Sequence, residues 1–184
     1  MRVISGSLRG KKLHSFKGTD IRPTSDRTRE AVFNIISDRI EGAHVLDLFA
    51  GSGAMGIEAL SRQAAAATFV DKAPAAIALI RKNIRACGLG AKTRIIQWDI
   101  KRNLACLDTS QPPFDLIFLD PPYGQNLADP ALSHLLTIGI MAADTCLVLE
   151  HAGSEGLSLN RNHLQLSDQR RYGKTLVSFL SYML

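Results

Sequence analysis

From Val45 onward, short apolar runs alternate with stretches of helical periodicity, and this alternation restricts the possible folds more than any other feature. The runs Val45–Phe49, Ala67–Asp71, Arg94–Trp98, Asp115–Leu119 and Thr145–Glu150 predict strands. Pro74–Cys87 predicts a helix, with Ile77, Ile80, Ile84 and Cys87 at helical spacing, Pro74 in the first turn and Gly88 just beyond the end. Strand–helix alternation implies right-handed crossovers and a mostly parallel sheet. Two further strands, near 164–172 and 175–183, are separated only by Gly173-Lys174 and must pair antiparallel. The expected architecture is α/β, a Rossmann-like seven-stranded mixed sheet. Ahead of it, Gly6 and Gly10 punctuate a hairpin-like piece over Arg2–Leu13. A helix follows, capped by Thr24 or Ser25, with Val32, Phe33, Ile36 and Ile40 as its apolar face. The expected division is a basic extension over 1–40, hairpin plus helix, packed on a core over 41–184.

A length of 184 residues suits one domain with a small appendage. No apolar run approaches the roughly 18 residues of a membrane helix, and the N-terminus lacks the apolar core of a secretory signal. Cys87, Cys106 and Cys146 are widely spaced, which argues against a disulfide scaffold and suits a reducing cytoplasm. The five histidines show no metal-binding spacing, so no metal is expected. Charge is unevenly placed: residues 1–40 hold nine of the 22 Lys and Arg but four of the 17 Asp and Glu, and the remainder is neutral. A localised basic face is the footprint of a polyanion partner or a merely solvated surface.

The segment Val45-Leu46-Asp47-Leu48-Phe49-Ala50-Gly51-Ser52-Gly53-Ala54-Met55-Gly56 is a strand running into a glycine-rich turn and a helix. Gly51, Gly53 and Gly56 match GxGxxG, and Asp71 ends the next strand, where it can hold ribose hydroxyls. GxGxxG alone also fits a nicotinamide dehydrogenase. Asp47 changes the balance, because a carboxylate before the turn repels a pyrophosphate and attracts an ammonium. S-adenosylmethionine carries that cation and no phosphate. Asp99, after Trp98, is placed either to accept from the adenine amine or to cap a helix.

Asp120-Pro121-Pro122-Tyr123 follows the fourth strand, at the carboxyl edge where open α/β sheets bind ligands. Two prolines stiffen the backbone and remove two N–H donors. The Asp120 carboxylate and Pro121 carbonyl can accept both hydrogens of one exocyclic NH2, and the Tyr123 ring offers a stacking surface for a base.

These segments resemble the amino-directed S-adenosylmethionine-dependent methyltransferases. Arg2-Val3-Ile4-Ser5-Gly6, Arg9-Gly10-Lys11-Lys12-Leu13, Arg22-Pro23-Thr24-Ser25-Asp26-Arg27-Thr28-Arg29-Glu30 and Tyr172-Gly173-Lys174-Thr175 are similar to one branch, the bacterial 16S rRNA guanine-N2 methyltransferases of the RsmD family. The resemblance spans almost the whole chain. It implies a class I methyltransferase sheet and methylation of N2 of one guanine in 16S rRNA, within the 30S subunit or an assembly intermediate, by a cytoplasmic monomer. It implies catalytic roles for Asp120, Pro121, Pro122 and Tyr123. Cofactor contacts are implied from Arg22, Thr24, Asp47, Gly51, Gly53, Asp71 and Asp99. Arg2, Arg9, Lys11, Lys12 and Arg27 are the expected RNA-facing cations, although Arg27 could instead pair with Glu30 on its helix.

Rival readings are a DNA or other RNA amino-methyltransferase, a protein-glutamine methyltransferase, a non-catalytic rRNA-binding factor and a nicotinamide oxidoreductase. Little unassigned length is left for a DNA-recognition region, and Asp47 with the tetrapeptide disfavours the oxidoreductase.

Overall fold

The computed structural model describes residues 1–16, 26–154 and 163–183. Strands β1 (His44–Leu48), β2 (Ala66–Asp71), β3 (Thr93–Gln97), β4 (Phe114–Leu119), β5 (Met141–Ala152), β6 (Leu164–Tyr172) and β7 (Thr175–Tyr182) form one sheet. Its order is β3-β2-β1-β4-β5-β7-β6. Neighbours from β3 through β5 are parallel, and β7 runs antiparallel to both β5 and β6. This is the seven-stranded mixed sheet that the alternation and the terminal hairpin imply. The helices are α1 (Asp26–Ile35), α2 (Ala54–Ser61), α3 (Pro74–Cys87) and α4 (Ala128–Ile138). None is long and apolar enough to cross a membrane.

Alternation along the strands divides the core in two. Val45, Leu116, Phe118, Val148 and Phe179 face a cluster shared with Phe33, Ile57 and Ile80 of α1, α2 and α3. Leu46, Leu48, Ile117, Leu119 and Leu147 face the opposite cluster, which includes Leu132 and Leu135 of α4. Both faces are covered, so β1 and β4 read as nearly continuous apolar runs. Asp47 shares the parity of Val45 and therefore turns towards α2.

Three local expectations differ from what forms. The strand expected at Thr145 begins at Met141, and its pairing with β4 shifts register between Phe114 and Leu116. Asp144 lies in the left-handed region at φ 62, and the Thr145 hydroxyl donates to the Phe114 and Ala142 carbonyls at 2.7 Å. The irregularity breaks the period-two pattern that would have marked residues 141–144. Helix α1 stops at Ile35, and a 3-10 turn over Ser37–Arg39 carries the chain on, so Ile36 and Ile40 are buried from outside the helix. No helix follows β3, so Asp99 caps none; its Oδ1 accepts from Lys101 N–H at 3.1 Å in a local turn.

The first 16 residues dock through buried polar side chains. An antiparallel bridge joins Arg2 to Lys12, and the Glu58 carboxylate of α2 accepts from Ile4 N–H at 2.8 Å and Ser5 N–H at 2.9 Å. Ser61 Oγ accepts from Leu8 N–H at 3.0 Å and donates to the Ser5 carbonyl at 2.5 Å. Asn83 of α3 closes the other end, with Oδ1 accepting from His14 N–H at 2.8 Å and Nδ2 donating to the His14 and Ser52 carbonyls. The approach at Gly6 is so close that a Cβ there would lie 1.9 Å from the Ser61 carbonyl oxygen.

Glu58 is completely buried and also holds Arg62 at 2.9 Å. Breaking such a pair from one side leaves buried donors unmet, at a cost of about 3–5 kcal/mol. Glu58→Ala is expected to lower unfolding free energy by that amount in urea titrations and to expose the first 16 residues to limited proteolysis. A loss below about 1 kcal/mol with unchanged cleavage would contradict this account of the docking.

Candidate active site

The strand order reverses between β1 and β4, the position at which open α/β sheets form a ligand crevice. Leu48 lies opposite Val70 and Leu119, so the carboxyl ends of β1, β2 and β4 are level. Beyond them opens a cavity of about 710 Å3, within the usual range for small-ligand sites. Its walls bring together Asp47, Gly51, Asp71, Asp99, Asp120, Pro121, Pro122 and Tyr123 from the sequence-predicted set. Arg22 and Thr24 lie outside the described residues, as do Pro23 and Ser25.

The glycine turn is held by carboxylates rather than by its own side chains. Asp71 Oδ2 accepts from Gly51 N–H at 2.9 Å, and Oδ1 accepts from Ala73 N–H at 2.8 Å. Asp47 Oδ2 accepts from Gly56 N–H at 3.0 Å. Gly56 has no Cβ for a packing reason: one placed there would meet Phe69 at 2.4 Å and crowd Asp47 Oδ2 at 3.3 Å. Gly53, at φ 76, lies behind the cavity wall against Phe69 and Ile80, so it shapes the turn and does not border the cavity. Phe49 also has a positive φ, 59, which is uncommon for a bulky residue and places strain at the cavity edge.

Asp47 is 3% exposed. Burial, opposed by the Gly56 hydrogen bond and reinforced by the Asp71 charge, raises its pKa from 3.8 to about 8. A positive ligand group beside it would reverse that shift. Phe49, Met55, Trp98 and Ile100 supply apolar lining, Asp71 ends β2, Asp99 lies two residues beyond β3, and Arg29 and Lys72 are the cations on the wall. The carboxyl groups of Asp47, Asp71 and Asp99 beside these apolar walls suit a nucleoside with a cationic tail better than a pyrophosphate. The residues therefore fit S-adenosylmethionine.

At the other end, Pro121 is buried, whereas Asp120, Pro122 and Tyr123 are exposed. Tyr123 is anchored by its hydroxyl, which hydrogen-bonds Glu150 Oε1 at 2.9 Å and Thr175 Oγ1 at 2.8 Å. Burial and the Glu150 carboxylate push the phenol pKa up, so the hydroxyl stays protonated. The ring stands half exposed at the mouth while its far end is fixed to β5 and β7.

The side chains of Arg2, Arg9, Lys11, Lys12 and Arg27 are exposed and none borders the cavity. Arg2 Nε lies 4.0 Å from Asp26. Arg29, however, is not part of a basic surface: it is 1% exposed and borders the cavity. Met1, Phe49, Trp98, Glu150 and Arg29 are cavity residues that sequence reasoning missed. Trp98 and Glu150 end predicted strands, so the carboxyl-edge rule could have found them; nothing local marks Met1 or Arg29.

A family model described as conserved hypothetical protein 95 matches residues 1–181. The chain is 36% identical over 178 residues to the putative rRNA methyltransferase YlbH of Bacillus subtilis, covering 97% of each. It is 36% identical over 157 residues to ribosomal RNA small subunit methyltransferase D of Escherichia coli, covering 85% of this chain and 77% of that one. Among solved structures, the putative methyltransferase yhhF from Escherichia coli matches with a TM-score of 0.88 at 32% identity, covering 100% and 98% of the two chains. A putative methylase from Haemophilus influenzae matches with a TM-score of 0.84 at 28% identity, over 100% and 98%. On sequence and fold alike, the chain belongs to the family of the ribosomal RNA small subunit methyltransferase D proteins.

Proposed function

We propose that the protein transfers a methyl group from S-adenosylmethionine to the exocyclic N2 of a guanine in 16S rRNA, guanine 966 in the standard rRNA numbering, within the small subunit or an assembly intermediate. The observation that carries this reading is the placement of Asp120-Pro121-Pro122-Tyr123 on the same cavity as Asp47, Asp71 and Asp99. Membership in a family whose relatives are named as rRNA methyltransferases supports the substrate class.

Bound beside Asp47, S-adenosylmethionine supplies a methyl group already activated on a sulfonium. The chain's own residues bind and orient. Asp47 receives the methionine ammonium. Each Asp71 oxygen, though holding a backbone N–H, retains a second acceptor position for a ribose hydroxyl. Asp99 keeps one oxygen beyond its local turn for the adenine amine. Asp120 and the Pro121 carbonyl accept the two hydrogens of the guanine amine, drawing its lone pair out of ring conjugation. Tyr123, fixed by Glu150 and Thr175, stacks on the extruded base, a contact of about 1–3 kcal/mol. Proximity provides most of the rate. Asp120 takes the proton that the nitrogen sheds on methylation. The exposed Arg2, Arg9, Lys11, Lys12 and Arg27 face RNA phosphates outside the cavity.

Small subunits from a strain lacking the protein are expected to accept labelled methyl on N2 of one 16S guanine, as mapped by nuclease digestion and mass spectrometry. Label on adenine or on DNA would reject the substrate while leaving the reaction class intact. Asp120→Ala is expected to reduce transfer by at least about 100-fold and leave donor binding within about threefold of wild type. Transfer at the wild-type rate would rule out the amine clamp.

The raised Asp47 pKa gives a pH signature with a definite sign. Without ligand, the folded carboxyl holds its proton up to about 8, whereas the unfolded one loses it near 3.8. Its contribution to stability is therefore present below the lower value and lost as pH rises towards the upper one. A cationic donor favours the ionised form, so donor affinity is expected to rise by up to about tenfold per pH unit below that upper value and level off above it. Asp47→Asn should bind weakly with a flat profile. Calorimetric titration across this range checks both; a flat wild-type profile would remove Asp47 as the ammonium's partner.

A further inference from the structure

We propose that Arg29 receives the α-carboxylate of the methyl donor's methionine end; this rests on reading the cavity as the donor's site. The side chain rises from α1, is 1% exposed and borders the cavity together with Met1, Ser52, Met55 and Asp47. Nη2 is used: it donates to the Arg2 carbonyl and to Asp26 Oδ1 at 3.1 Å. Nε and Nη1 are buried without a hydrogen-bond partner among the described residues.

Glu58 does not satisfy them. Its Oε2 lies 3.8 Å from Arg29 Nε, beyond hydrogen-bonding distance, and already accepts from Ile4 N–H. Its Oε1 accepts from Ser5 N–H and from Arg62 Nε, both at 2.9 Å. Glu58 and the partly exposed Asp26 thus face the two guanidiniums of Arg29 and Arg62, and three Arg29 N–H groups, one on Nε and two on Nη1, stay unused at the cavity edge. Buried polar atoms in native proteins are nearly always paired, and an orphaned pair of charged donors beside a cavity points to an anionic group that arrives with a ligand.

The form of that anion follows from the neighbouring charge. Asp47 is tied to Gly56 N–H and Arg29 lies against Glu58, so both abut the first two turns of α2. A carboxylate and a guanidinium lining one cavity beside one helix complement an α-amino acid head, the ammonium towards Asp47 and the carboxylate towards Arg29. A guanidinium 1% exposed lies out of reach of a polymer's phosphates, but Arg29 borders the cavity in which a small zwitterion would sit. The Arg2 carbonyl bond also ties the receiving side chain to the docked extension.

The test compares two ligands, S-adenosylhomocysteine and its decarboxylated counterpart, which keeps the amine. Wild type is expected to bind the carboxylate-bearing ligand roughly 10- to 100-fold more tightly in calorimetric titrations, the range of a charge-assisted hydrogen-bonded pair. Arg29→Met should lose that preference, weakening S-adenosylhomocysteine by the same factor and leaving the decarboxylated ligand within about threefold of wild type. Should this variant fail to fold by thermal melting, Arg29→Lys, which retains the charge but not the fork, is expected to show an intermediate preference. Equal weakening of both ligands in the variant, or a wild type indifferent to the carboxylate, would overturn the proposal. If wild type binds neither ligand, the donor reading of the cavity fails and the assignment of Arg29 fails with it.

Discussion

The Gly51 and Gly56 N–H groups are held by carboxylates from the ends of two neighbouring strands, Asp71 of β2 and Asp47 of β1. A glycine-rich turn between a strand and a helix has many accessible conformations, and ordering it costs entropy that glycine itself does nothing to offset. The two carboxylates define one conformation. They also border the cavity, and because a cation there would favour the ionised form of Asp47, the groups that shape the turn are those that would receive it. Gly56 permits this arrangement, since a side chain would strike Phe69 and crowd Asp47 away from the helix.

The cavity has a second wall that the sheet does not supply. Met1, Ser15, Phe16 and Arg29 border it from the N-terminal side, and this side is pinned by Glu58, Ser61 and Asn83. Asn83 bonds both the extension, through His14, and the glycine turn, through the Ser52 carbonyl. Loss of the docking would therefore reach the site without changing any residue of the turn or the tetrapeptide. The Tyr123 hydroxyl plays a corresponding part at the far end, where Thr175 of the Tyr172-Gly173-Lys174-Thr175 word bonds it. A segment that reads as a hairpin turn and carries part of the family resemblance thereby orients the ring at the mouth.

Helix α3 was legible to the residue because a proline starts it and a glycine at φ 69 ends it. The strands and the closing hairpin were legible because periodicity and turn residues are local signals. Sheet order was not, since the insertion of β7 between β5 and β6 depends on pairing that no local pattern encodes. The start of β5 escaped because Asp144 interrupts the alternation. Within the site, Asp47, Asp71 and Asp120 could be found by position at strand ends, but the backbone amides they hold could not. Arg29 was hidden by its company: in a helix beginning Asp-Arg-Thr-Arg-Glu, an arginine reads as solvated, and only folding against Glu58 and the cavity distinguishes it from Arg27.

In the proposed reading, one cavity holds an adenosyl donor with its amino acid head at the α2 end and its sulfur towards the tetrapeptide. A crystal structure with S-adenosylhomocysteine tests this most directly. The ligand ammonium is expected within hydrogen-bonding distance of Asp47, the ribose beside Asp71 and the sulfur facing Asp120 and Pro121. A ligand bound in the reverse sense, with its adenine against Asp47, or one seated outside this cavity, would contradict it.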